Sequence, residues 1–325
     1  MRRALVCGGG GFIGAHLVRR LKREGYFVRA ADLKQPEFSE SVADEFVVGD
    51  LRDCGFARDV TVGGFDELYQ LAAEMGGAGY LFTGENDVAV MSSVLVNHHI
   101  LEACAVGGIG SVFFSSSACI YPFHNQLDPD TPDCREDTAY PAAPDSEYGW
   151  EKLFSERLYL TYQRNLGVNV HIARYHNIFG PEGTWTGGRE KAPAAICRKV
   201  AQARDGDAIE IWGDGRQTRT FLYVDDCIEA TTRLARSTDP GPFNVGSEEL
   251  VSIADLVDIV ADIAGKRIEK RFVPGPTGVR GRRSDNRLMA ERLDWQPNVP
   301  LRSGLEQTYA WVERQVRGME TVPAG

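Results

Sequence analysis

The chain has no unbroken apolar run approaching the roughly 20 residues that a membrane-spanning helix needs. The opening Met1-Arg2-Arg3-Ala4-Leu5-Val6 has the look of a signal peptide, but Gly8 to Gly11 break it within one turn, so it reads as a strand. Cysteine is neither abundant nor paired. Seven are scattered at positions 7, 54, 104, 119, 134, 197 and 227, an odd number without zinc-type spacing. That excludes a disulfide scaffold, gives no reason to expect a metal, and suits a reducing, cytoplasmic setting. Basic residues are also in deficit, 36 Lys and Arg against 46 Asp and Glu, for a net charge of -10. Such a balance argues against nucleic acid as a partner. No repeat or low-complexity tract appears. With 43% hydrophobic residues the chain can build a full core, and fraying is expected only after Trp311, in the tail ending Val322-Pro323-Ala324-Gly325.

What is present is alternation. Residues 3–7 form an apolar run, four glycines follow, and a helical pattern runs from Phe12 to Glu24, stopping at Gly25. Tyr26 to Ala31 is a second apolar run ending at Asp32. Further strands are expected at Glu45–Val48, Glu67–Ala72, Ser111–Ser115 and Val168–Arg174, with helices over Val88–Ala105 and Ser146–Asn165. Strands alternating with helices predict an α/β fold, a Rossmann-type doubly wound parallel sheet. Beyond residue 175 Pro, Gly and Trp become frequent, which predicts a smaller mixed lobe over 176–325 beside a domain at 1–175. The segment 216–240, with Phe221 to Asp226 and an apolar helix, is expected to return to the sheet.

Gly8, Gly11 and Gly14 form G-x-x-G-x-x-G between a strand and a helix. Glycines there let the backbone approach a pyrophosphate lying on the positive helix end. The cofactor set this predicts is Gly8, Gly11, Phe12, Ile13 and Gly14, with Asp32, Asp50 and Leu51 at the ends of the next two strands. Asp32 suits free ribose hydroxyls and would repel a ribose phosphate, which favours NAD over NADP. Asp50 either reaches the adenine edge or caps the following helix.

Tyr148 and Lys152 form Y-x-x-x-K, one turn apart on one helical face. An ammonium beside a phenol is expected to lower the phenol's pKa, so that it exchanges protons near neutrality. Ser117, ending Ser115-Ser116-Ser117 some 30 residues upstream, can hydrogen-bond the same reacting oxygen.

With these motifs the chain resembles the extended short-chain dehydrogenase/reductase family, over nearly its whole length, including Asn97 and Tyr223-Val224-Asp225-Asp226. It lacks the Asp-Glu pair of that family's dehydratases. Cys119, in Ser116-Ser117-Ala118-Cys119-Ile120-Tyr121-Pro122, stands where many relatives carry Thr. Ala73-Glu74-Met75-Gly76-Gly77, His176-Asn177-Ile178-Phe179-Gly180-Pro181, Gly187-Gly188-Arg189-Glu190-Lys191-Ala192-Pro193 and Val279-Arg280-Gly281-Arg282 sharpen the resemblance to the branch of sugar-nucleotide epimerases that act at carbons 3 and 5 of GDP-mannose.

That resemblance implies NAD as cofactor, a GDP-sugar as substrate and a homodimer built on the helices at 88–105 and 146–165. It implies that Cys119 and Lys191 are the acid/base pair, with Ser117, Tyr148 and Lys152 completing the catalytic set. It places substrate at Gly76, Ser117, Cys119, Asn177, Glu190, Lys191, Ala192, Lys199, Gln217, Arg219 and Arg282, with Arg282 on the pyrophosphate. Taken without the family, Cys119 is as readily a packing cysteine and Lys191 a solvated lysine. Two other functions stay open: an epimerase of another GDP- or ADP-linked sugar, such as a heptose, and a non-catalytic NAD sensor. The sensor reading fits poorly, because such proteins usually lose the Tyr or Lys that this chain retains.

Overall fold

The structure, a computed structural model, describes residues 1–320. Its first half runs β1 (Arg3–Cys7), α1 (Phe12–Arg23), β2 (Phe27–Asp32), β3 (Glu45–Val48), α2 (Cys54–Thr61), β4 (Glu67–Gln70), α3 (Ala78–Leu81), α4 (Asp87–Met91), α5 (Ser93–Gly107), β5 (Ser111–Ser117), α6 (Glu147–Leu166) and β6 (Val170–Tyr175). The second half adds β7 (Ile178–Phe179), α7 (Ala192–Gln202), β8 (Ala208–Trp212), β9 (Thr218–Thr220), β10 (Leu222–Tyr223), α8 (Val224–Ala235), β11 (Phe243–Val245), β12 (Leu250–Ser252), α9 (Ile253–Ala264), β13 (Glu269–Val273), β14 (Gly281–Arg282), α10 (Arg287–Leu293) and α11 (Leu301–Glu320).

Seven parallel strands form the central sheet in the order β11-β6-β5-β4-β1-β2-β3. Side chains alternate across it, as strand geometry requires. Ala4 and Val6 of β1 enter the core shared with α1 and α8, while Leu5 and Cys7 enter the one shared with α2, α5 and α6. Burial on both faces explains why β1 reads as a continuous apolar run rather than an alternating one. The strand order reverses between β1 and β4, and the chain leaves both strands there at their carboxyl ends. In open α/β sheets that crevice is where ligands bind.

Three features differ from the sequence reading. The helix expected at Val88–Ala105 is two, α4 and α5, joined at Ser92. The Ser92 hydroxyl donates back to Ala89 O, and the Ser93 hydroxyl accepts from Glu74 N, so side chains bend the helix there. By length and composition Asp87–Gly107 could cross a membrane, although polar residues interrupt it. Here it covers the sheet, with buried Asn97 donating to Glu151 and Ser155 of α6. In the second half, α8 does lie on the sheet, and the return extends past residue 240, because β11 pairs with β6. Finally, the chain after Trp311 is helical to Glu320 rather than frayed; Val322 to Gly325 lie outside the described residues.

Candidate active site

The glycine turn is shaped by contact. A Cβ on Gly14 would sit 2.0 Å from Gly8 O, and one on Gly8, whose φ is +85°, 2.7 Å from Ala72 N. Only glycines allow α1 to start this close to the loop after β4. No side chain caps α1, so the backbone N–H groups of Phe12 and Ile13 open its positive end to an anion. Asp32 accepts from Gly10 N at 2.9 Å, and burial lifts its carboxyl above the usual range. These residues fit a dinucleotide. Asp50 instead binds its own loop: Arg52 donates to it at 2.6 Å, which lowers its pKa. The cap of α2 is Asp53, which accepts from Phe56 N. Leu51 is buried beside them.

Ser117 ends β5 and caps the short 3-10 turn Ala118–Ile120, its hydroxyl oxygen accepting from Cys119 N at 3.2 Å. The same hydroxyl faces the Tyr148 phenol and favours its ionised form. Tyr148 departs from the expectation for a Tyr-Lys pair. Burial, then the neighbouring Cys119 and Glu151, push its phenol well above the usual range, and only the Ser117 contact opposes them. Lys152 lies 5.7 Å from the Tyr148 ring centre, but Glu151 is 3.8 Å from its ammonium, and both are fully buried. Burial lowers the lysine's own pKa despite Glu151.

Above this trio opens a cavity of about 350 Å³. All eleven residues expected at the substrate line it: Gly76, Ser117, Cys119, Asn177, Glu190, Lys191, Ala192, Lys199, Gln217, Arg219 and Arg282. Tyr148 joins them, and Lys152 lies behind it. Cys119 comes from the sheet side. Lys191 stands at the N-terminal boundary of α7. Burial lowers its pKa, with Cys119 opposing, and the positive helix end also disfavours an ammonium there. The loop at Gly76-Gly77 lies flush on Glu190, a Cβ on Gly77 falling 2.3 Å from Glu190 O, which fixes Lys191 over the cavity.

Several of these side chains are already engaged. Glu190 pairs with Arg198 at 2.7 Å, and Lys199 donates to Glu210 O. Gln217 donates to Trp212 O, and Arg219 donates to three backbone carbonyls, Thr218, Thr277 and Val279. Burial and the neighbouring Arg282 bring Arg219 down to about 10. Arg282 is not where the sequence led us to expect. Its Nη1 donates to Cys119 Sγ at 3.1 Å and its Nε to Gln126, so it faces the thiol. Burial works against its charge, but Cys119 and Asp145 more than offset this and hold it above the usual arginine range. Sequence reasoning missed Asp145, Tyr175 and Trp212, which also line the cavity. Asp145 precedes Tyr148 by one helical turn, where an Asp reads as a capping residue; the cap is Ser146.

Comparison with known proteins agrees with this geometry. The profile described as "NAD dependent epimerase/dehydratase family" matches residues 4–246. GDP-mannose 3,5-epimerase of Arabidopsis thaliana is 43% identical over 313 residues, 96% of this chain and 82% of the plant protein. GDP-mannose 3,5-epimerase 1 of Oryza sativa subsp. japonica is 41% identical over 321 residues, 98% and 84% of the two chains. Among solved structures, UDP-glucose 4-epimerase of Thermus thermophilus in complex with NAD superposes with a TM-score of 0.81 at 26% identity, covering 95% of this chain and 98% of its own. An extended β-α sheet, a glycine cradle for NAD, a Ser-Tyr-Lys trio and a sugar-sized cavity thus occur together, and the chain belongs to the NAD-dependent epimerase/dehydratase family.

Proposed function

We propose that the protein inverts carbons 3 and 5 of GDP-mannose, giving GDP-L-galactose, and GDP-L-gulose where carbon 5 alone inverts. The observation that carries this is the meeting of Cys119 and Lys191, from opposite lobes, over the Ser117-Tyr148 pair, in a chain 43% identical to a GDP-mannose 3,5-epimerase. In this scheme residues 1–175 with 216–240 hold the cofactor, and the lobe at 176–325 holds the sugar nucleotide.

A carbinol carbon does not give up its proton directly. A ketone at carbon 4 acidifies both neighbours, because each carbanion becomes an enolate. Bound NAD supplies the reversible oxidation at carbon 4, and a redox-neutral cycle lets it remain bound. Tyr148, beside Ser117, takes the carbon-4 hydroxyl proton in its phenolate form, which burial opposes and the positive charge of bound oxidised NAD would favour, and later returns it. Lys152 holds Tyr148 from behind. Cys119 and Lys191 then remove a proton from one face of the ring and return one to the other. Arg282 beside the sulfur stabilises the negative charge that forms when the thiol gives up its proton. Burial favours the neutral amine of Lys191, the form able to accept a proton.

The same proposal makes the protein a cytoplasmic homodimer. Support comes from its seven free cysteines and from Leu95, Trp150 and Phe154, which leave large apolar area on the outer faces of α5 and α6.

Incubation with GDP-mannose in heavy water tests the function. Wild type should introduce deuterium at carbons 3 and 5. Cys119→Ala keeps Ser117, Tyr148 and Lys152, so oxidation at carbon 4 should survive while deuterium uptake falls roughly 10²–10⁴-fold. Wild-type exchange by Cys119→Ala would make the cysteine mere packing and overturn the mechanism.

A further inference from the structure

Three buried polar atoms in the cavity wall are unmet. Both carboxylate oxygens of Asp145, and Nη2 of Arg282, have no hydrogen-bond partner among the described residues. The side chains are only 6% and 7% exposed. Their closest atoms, Asp145 Oδ2 and Arg282 Nη2, are 3.6 Å apart, too far for a hydrogen bond. This is not how the protein builds a structural ion pair. Arg174 and Glu156, equally buried, meet bidentately at 2.8 and 2.9 Å. Burying charged groups without hydrogen bonds is costly, so the atoms are held for something that enters the cavity.

The chemistry of the gap limits what that is. A phosphate would satisfy Arg282 but be repelled by Asp145. An ammonium would suit Asp145 but be repelled by Arg282. A hydroxyl satisfies both, because it donates to the carboxylate while accepting from the guanidinium. Arg282 meanwhile holds the Cys119 sulfur through its other nitrogen, at 3.1 Å. The hydroxyl therefore lies next to the carbon at which the thiol exchanges a proton.

We infer that Asp145 and Arg282 form a hydroxyl-recognition pair, and that Asp145 determines specificity for a sugar hydroxylated beside the inverting carbon. This rests on the proposal that the cavity takes a GDP-linked hexose. It also removes Arg282 from the pyrophosphate and assigns it to the sugar. Carbon 4 carries the redox hydroxyl, so the remaining neighbours of carbons 3 and 5 are the hydroxyls on carbons 2 and 6.

The test is binding of GDP-mannose, GDP-2-deoxymannose and GDP-6-deoxymannose to the NAD-loaded enzyme, by calorimetry, in wild type and Asp145→Ala. Wild type should bind one deoxy analogue roughly 10- to 100-fold more weakly than GDP-mannose, the usual range for one charged hydrogen bond. Asp145→Ala should weaken GDP-mannose by a similar factor and leave that analogue nearly unchanged, so the preference collapses. Asp145→Asn, which keeps an uncharged acceptor of the same shape, should retain part of the preference and guards against misfolding in the alanine variant. Equal weakening of all three ligands would make Asp145 a structural counter-ion, and an undiscriminating wild type would overturn the inference as well. Wild type that binds GDP-mannose with this preference but exchanges no deuterium would overturn the proposed function alone. Wild type that does not bind GDP-mannose would overturn both.

Discussion

At the scale of single residues, the site is governed by what burial does to ionisable groups. His176 is the clearest case. It is fully buried behind the cavity, its Nε2 donating to Asn244 Oδ1 at 2.9 Å. Burial, with Arg282 and Arg174 nearby, pushes its pKa down to about 3, against 6.5 for a free imidazole. The group is neutral in the fold, while the unfolded chain takes up a proton below about pH 6.5. The unfolded state then binds more protons, so the stability His176 confers is whole above pH 6.5 and is lost as pH falls toward 3. Relative to His176→Asn, wild type should lose about 2 kcal/mol between pH 7.5 and pH 5, measured by urea unfolding. A pH-independent difference would mean that the imidazole titrates in the fold as it does in the unfolded chain. Legibility at this scale was uneven. Gly8, Gly14 and Asp32 declare themselves by backbone and strand-end chemistry, whereas Cys119 and Lys191 carry no local signal and were visible only through resemblance. Asp145 was missed because its meaning lies in Arg282, which is 137 positions away in the chain.

At the scale of elements, the groups proposed to act on the sugar are tied by close packing. Gly149 follows Tyr148 in α6, and a Cβ there would fall 2.2 Å from Cys119 O and 2.8 Å from Pro144 Cβ. Helix α6 and the turn carrying Cys119 thus touch backbone to backbone, which keeps phenol and thiol in register. In an open helix Gly→Ala stabilises by up to about 1 kcal/mol, but overpacking costs about 1–3 kcal/mol. Gly149→Ala should therefore destabilise, and should lower deuterium exchange by displacing Cys119. Gly107→Ala, with nothing within 4 Å of its Cβ, should be neutral or stabilising and serves as the control in the same urea series. Equal stability of Gly149→Ala and wild type would mean that the turn moves freely and the two groups are not coupled. The first half's elements were readable because most of its strands hold a short apolar stretch with a Gly or Asp nearby and alternate with helices. The second half was not, since β7, β10 and β14 are two residues long and exist only through pairing with distant partners.

At the scale of the whole molecule, α6 has two jobs on two faces. Inward it carries Tyr148 and Lys152; outward it leaves Trp150 42% and Phe154 52% exposed. Beside it, Leu95 of α5 and Met91 of α4 are exposed at 47% and 38%, and Val88 at 88%. Single exposed apolar residues are ordinary, but five large ones on adjoining helices form a patch that a monomer rarely leaves open. The composition of Asp87–Gly107 fits the same proposal: a helix apolar on both faces covers the sheet with one and would cover a partner copy with the other. Two copies packed through α5 and α6 would bury this patch as a four-helix contact, and a stable interface needs about 800 Å² from each partner. Phe154→Arg places a charge at the centre of that contact and touches no catalytic group. Sedimentation at micromolar concentrations should find wild type at twice the chain mass and Phe154→Arg at the chain mass. Wild type should also melt at temperatures that rise with protein concentration, a dependence the variant should lose. Because such an interface would brace the outer face of the helix that holds Tyr148, the monomeric variant should also exchange deuterium more slowly. Wild type sedimenting as a monomer throughout would leave the patch without a partner copy, and α6 would then owe its position to the sheet alone.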